Sequence, residues 1–142
     1  HGTVERDKTG LDKIAVMTEH ITVMAEAVDR VARIADVDDA AVAYRLGRAI
    51  SRMEAAMSTP EMFGRVAIAQ TMRDVSPELM DLLGAASALP VTTDGAADDG
   101  GVEYVFRLAG PTGVYGGTLE VFRNMIAQHA LGLGKPNYSA AQ

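Results

Sequence analysis

Apolar positions recur at helical spacing along almost the whole chain. After Thr9-Gly-Leu-Asp12, which resembles a capping start, Ile14, Met17, Ile21, Met24, Val28, Val31 and Ala35 alternate steps of three and four. This predicts a long first helix with a heptad-type seam. Asp36-Val-Asp-Asp39 ends it, and Asp38 or Asp39 is placed to cap a second helix carrying Val42, Leu46, Ile50, Met53 and Met57. Ser58-Thr59-Pro60 offers a cap followed by proline at the first helical position. The third helix then runs through Met62, Val66, Ala69 and Met72, and is expected to bend at Ser76-Pro77 before continuing through Leu82.

From Pro90 to Gly101 the periodicity fades into Gly, Ala, Thr and Asp, which predicts a mobile acidic loop. A short helix from Val102 to Leu108 follows, and Ala109-Gly-Pro-Thr-Gly113 predicts a turn. Gly116 and Gly117 then lead into Thr118, after which Leu119, Phe122, Ile126, Ala130 and Leu133 return to helical spacing. Gly132, Gly134 and Pro136 close this last helix, and residues 135–142 are expected to fray. No strand alternation and no internal repeat is present. The expected fold is all-α, an antiparallel four-helix bundle in a single domain spanning residues 1–142.

With 142 residues there is material for one hydrophobic core. Hydrophobic residues make up 48% of the chain but aromatics only 5%, with no Trp, so aliphatic side chains and eight Met must fill that core. A formal charge of −6 and a pI near 4.9 disfavour nucleic acid as a partner. Zero Cys excludes disulfides and thiolate metal sites and fits a reducing compartment, so a cytoplasmic protein is expected. No apolar run approaches the roughly 18 to 20 residues that span a bilayer. His1, His20 and His129 are too scattered for a metal set, and no P-loop, His-Glu-x-x-His or Gly-x-Ser-x-Gly occurs, so no metal is expected.

The most specific signal is the stretch Tyr115 to Leu133. A glycine pair feeding a helix start exposes backbone N–H groups, which favour an anionic or electron-rich ligand. The pattern Tyr-Gly-Gly-Thr-x-Glu-x-x-Arg-Asn-x-Ile-Ala-x-x-x-Leu-Gly-Leu resembles the last helix of acyl-CoA dehydrogenases, flavoenzymes that desaturate acyl-CoA thioesters between the α and β carbons. Leu79 to Gly84, Leu-Met-Asp-Leu-Leu-Gly, is a weaker echo of the same family. The resemblance implies FAD as cofactor and an acyl-CoA as substrate, with Gly117 against the acyl-CoA and with Thr118, Leu119 and Glu120 lining the FAD. Tyr115 would flank that site. Arg123 and Asn124 match the family's helix, and fit an exposed polar face equally well. Arg107 stands where the family often has a basic residue, or pairs with an acid between positions 94 and 103.

Three departures change what this implies. Many family members carry the proton-abstracting glutamate immediately before the residue matching Gly117, and here that position is Gly116, which has no proton acceptor. Thus the catalytic residue is unassigned. The Arg-x-x-Phe-Gly loop by which a neighbouring subunit grips FAD is missing its arginine ahead of Phe63, and the turn at Gly84 reads Gly-Ala-Ala-Ser. The family's helical and β-rich domains that precede this bundle are not in the sequence, which starts His1-Gly2 without Met. Three expectations stand: a C-terminal piece of a larger dehydrogenase, a subunit of a homo- or hetero-oligomer whose partner brings base and cofactor contacts, or a stand-alone bundle. In isolation the chain is expected to be inactive. The rival reading is a non-catalytic helical module that self-associates through the seam of the first helix.

Overall fold

A computed structural model describes residues 3–134, with side chains described for 17–60 and 63–134; the frayed tail expected at 135–142, and the placement of the Ile14 and Met62 side chains, fall outside that range. The described chain is all-helical. Helix α1 spans Thr3–Ile34, α2 Ala40–Met57, α3 Glu61–Leu83, α4 Gly101–Thr112 and α5 Leu119–Met125. A π-helical turn, Ile126–Ala130, continues α5, and two 3₁₀ turns, Ala85–Ala88 and Ala97–Gly100, lie between α3 and α4.

The seam predicted for α1 is the core of the molecule. Met17, Ile21, Met24, Val28 and Val31 are all buried. Backbone helicity already begins at Thr3, so the expected capping start at Thr9 is passed over. Asp39 caps α2 as expected, its carboxylate accepting from the Ala41 N–H at 2.7 Å. The face of α2 differs from the expectation. Leu46 and Met53 point inward, but Ile50 and Met57 are exposed and the small Ala49 and Ala56 take the buried places.

Helix α3 is the centre of the packing and touches α1, α2, α4 and α5. It runs against α2 in reverse register, Arg45 meeting Asp81 at 3.2 Å and Arg48 meeting Glu78. Pro77 lies inside it, yet one helix persists. The proline costs one backbone bond, while Met72, Val75, Ser76 and Leu79 on both sides are locked in the core. The same reasoning corrects the predicted turn at Ala109–Gly113. Helix α4 carries on past Leu108 through Pro111 to Thr112, because Ala109 and Thr112 are buried and the Thr112 hydroxyl bonds the Ala109 carbonyl at 2.7 Å.

The acidic stretch before α4 carries one tie to the body of the fold. Asp98, its side chain 5% exposed, accepts from the Arg30 Nε of α1 at 2.7 Å. Asp98 and Asp99 both take left-handed backbone (φ 51° and 50°) to reach this position. Gly100 follows at φ 81°, where an added Cβ would fall on the Val91 backbone nitrogen. At the other end of α4, residues 113–118 fold back over α1 and α3, which is where the sequence signal lies.

Candidate functional site

A chain of short bonds shapes the connection from α4 to α5. The Val114 and Tyr115 N–H groups both donate to the Pro111 carbonyl at 3.0 Å, and the Gly117 N–H donates to the Val114 carbonyl at 3.2 Å. The turn thus closed needs a left-handed residue at its third position, and Gly116 supplies it at φ 70°. Gly117 sits at φ 132°, and a Cβ there would stand 3.2 Å from the Phe122 ring. Thr118 then caps α5, its hydroxyl accepting from the Val121 N–H at 3.5 Å. The N–H groups of Thr118 and Leu119 lie at a helix start, where peptide donors have no partner further back along the helix.

The side chains expected at this site separate into two groups. Thr118 and Glu120 are exposed and Gly117 is partly so, whereas Leu119 is 1% exposed and belongs to the core, away from the surface where the resemblance would set it against FAD. The Glu120 carboxyl is held below its ordinary range, first by a hydrogen bond from its own backbone N–H and then by the Thr118 hydroxyl. That makes it a fixed anion and a poor proton acceptor. Arg123 reaches back to Gln70 at 3.0 Å and to Glu120 at 3.5 Å, and Asn124 is exposed. Arg107 pairs one turn back with Glu103 at 2.5 Å, on its own helix. His129 is exposed in the π turn. Among the described residues no group of His, Asp or Glu is arranged to hold a metal.

Beneath the turn lies an arginine that the reading of the sequence passed over. Arg65 of α3, 8% exposed, donates to the Thr112 carbonyl and, at 2.8 Å, to the Tyr115 carbonyl. Its guanidinium also touches the Met17 sulfur at 3.3 Å and stands 5.0 Å from the centres of both the Tyr115 and Phe122 rings. Among the described residues no carboxylate pairs with it. Burial pulls the guanidinium below its ordinary value and the Tyr115 side chain opposes that shift; an arginine stays cationic all the same. The carbonyls it serves include one from the last turn of α4, where partnerless acceptors and the negative end of the helix favour a cation.

Tyr115 is held from its other end. Its hydroxyl lies 2.6 Å from His20 Nδ1 on α1, with the two rings edge to face at 5.7 Å. Burial raises the Tyr115 pKa above its ordinary value, with Arg65 opposing. Burial lowers that of His20, with Glu19 opposing and Arg65 adding to the fall. Neutral histidine and protonated tyrosine are therefore the favoured pair, joined by one hydrogen bond between the hydroxyl and Nδ1. No family model, curated protein or solved structure matches the chain. Function is therefore argued from this turn.

The turn presents peptide N–H groups and a bare glycine on a base that three helices hold still. It contains no side chain suited to removing a proton from carbon. Arg65 and His20 were discoverable in principle. Arg65 falls in step with Ile68, Ala69, Met72, Val75 and Leu79, a charge on an otherwise apolar stripe, and His20 adjoins Ile21 on the α1 seam.

Proposed function

We propose that the chain is the C-terminal helical domain of an FAD-dependent acyl-CoA dehydrogenase, acting within an oligomeric assembly in the cytoplasm and forming one wall of its flavin and thioester site. The observation that carries the reading is the Gly116-Gly117-Thr118 turn: the residues of the family-like motif lie on an anchored, outward-facing helix start. Four packed helices, α1 to α4, also suit the antiparallel bundle that the resemblance implies.

The donor set suits an electron-rich ligand. The exposed backbone of Thr118 and Glu120 would contact the flavin, and the partly exposed Gly117 lets an acyl thioester approach closer than any side chain would permit. When bound, the flavin supplies the acceptor for the hydride leaving the β carbon. This chain's own part is to bind and orient. The proton acceptor comes from outside the turn, since Gly116 has none and Glu120 is a stabilised anion.

The rival reading, self-association through the α1 seam, draws less support, because Met17, Ile21, Met24, Val28 and Val31 are buried in the chain's own core. No helix among the described residues is long and apolar enough to cross a membrane. The test is to purify the tagged chain with its native partners and record the visible spectrum. Flavin absorbance that bleaches on anaerobic addition of an acyl-CoA supports the proposal, and a colourless assembly overturns it.

A further inference from the structure

We propose that Arg65 is the positioning residue of the Gly116-Gly117-Thr118 turn, holding it in the pose that meets the ligand. What the turn meets rests on the function proposed above; that Arg65 holds it rests on geometry alone. A cation on the core stripe of α3 is costly, and an apolar side chain of similar length would pack that helix equally well. The cost is explained by where the guanidinium reaches. Its bonds go to the carbonyls of Thr112 and Tyr115, and its central carbon stands 5.0 Å from the centres of the Tyr115 and Phe122 rings.

Those contacts bracket the glycines. Tyr115 stands immediately before Gly116 and Phe122 four residues after Thr118, and both rings lie beside one guanidinium. The Phe122 ring is also what a Cβ at Gly117 would strike, so Arg65 sets the floor beneath that glycine through Phe122. Two glycines with left-handed φ have wide backbone freedom, and a turn made of them keeps one shape only if its flanks are fixed. Lysine cannot substitute, because a single ammonium lacks the fork that spans two carbonyls.

The experiment uses the full chain and, separately, the native assembly, with Arg65→Met and Arg65→Lys. Amide exchange reads the turn through the N–H groups of Gly117 and Phe122, which bond the Val114 and Thr118 carbonyls. It reads the body through the amides of Leu46 to Met53 in α2. The expected result is exchange about tenfold faster at Gly117 and Phe122 in both variants with α2 unchanged. In the assembly, the flavin-to-protein ratio falls while the oligomer size holds. Unchanged exchange at Gly117 and Phe122 in either folded variant overturns the proposal, as does an equal rise in α2, which marks a purely structural arginine. Should Arg65→Met fail to fold, Arg65→Lys decides by the same readout. A colourless wild-type assembly overturns the flavin reading alone, and the exchange data then still decide whether Arg65 holds the turn.

Discussion

The Tyr115 hydroxyl and His20 Nδ1 stand 2.6 Å apart although 95 positions separate them, so the turn after α4 is bolted to the first helix. Burial keeps His20 below its ordinary pKa in the folded state, while the unfolded chain titrates near the ordinary histidine value of 6.5. Between those two values the unfolded state binds more protons, so stability rises with pH through this window, and the loss is complete once pH falls below the folded value. Wild type is therefore expected to lose more stability on acidification from about pH 7.5 to about pH 5 than His20→Asn does. Denaturant midpoints across that range check it, and parallel curves would sink the idea.

Gly117 and Gly116 are not equivalent. Gly116 lies at φ 70°, a left-handed conformation other residues can adopt, whereas Gly117 lies at φ 132°, which strains any side chain, and a Cβ there would stand 3.2 Å from the Phe122 ring. Gly116→Ala is expected to cost about 1 kcal/mol and Gly117→Ala about 2 to 3 kcal/mol. Urea melts with an unchanged m-value measure the difference, and equal costs would show that the Phe122 ring simply moves aside.

The Arg30 and Asp98 pair is asymmetric, with side chains 41% and 5% exposed. Removing Arg30 leaves a buried carboxylate without its partner, whereas removing the Asp98 charge leaves a guanidinium that water can reach. Arg30→Met is expected to cost about 3 kcal/mol and Asp98→Asn about 1 kcal/mol. The reverse order in thermal or chemical unfolding would mean that Asp98 is wetter than its position indicates.

Leu119 and Glu120 adjoin in the motif and differ in role. Leu119→Ala is expected to cost about 3 kcal/mol by opening a core cavity, while Glu120→Gln, at an exposed position, leaves the melting point where it was. If flavin is bound, Glu120→Gln changes its affinity without moving the melting point. A Leu119→Ala chain of wild-type stability would place that side chain outside the core.

Much of this was legible beforehand, for physical reasons. The α1 seam was readable because large apolar residues repeat at one spacing, and the Asp39 and Thr118 caps because short polar side chains before a periodic run have few other uses. The face of α2 was misjudged by weighing residues by size. Ala49 and Ala56 are buried because small side chains let helices approach, while Ile50 and Met57 lie on the outer side. Proline misled at position 111, where neighbouring core residues outweigh one lost backbone bond. The ties from Arg30 to Asp98 and from Arg65 to Tyr115 join residues far apart in the chain, and no local pattern reports such a pair. The motif itself was visible as words, while the clamp beneath it was not.

The π turn at Ile126–Ala130 works as a phase setting for whatever follows it. Leu131 donates to the Ile126 carbonyl five residues back, at 3.0 Å, one residue more than an α-helix spends on a turn. Substitutions within the turn leave that count alone; deleting one residue would restore the α ladder and swing Leu131 and Leu133 by about 100° around the axis. Both are strongly exposed, so the direction in which this end of the molecule shows its apolar surface depends on arithmetic rather than on composition.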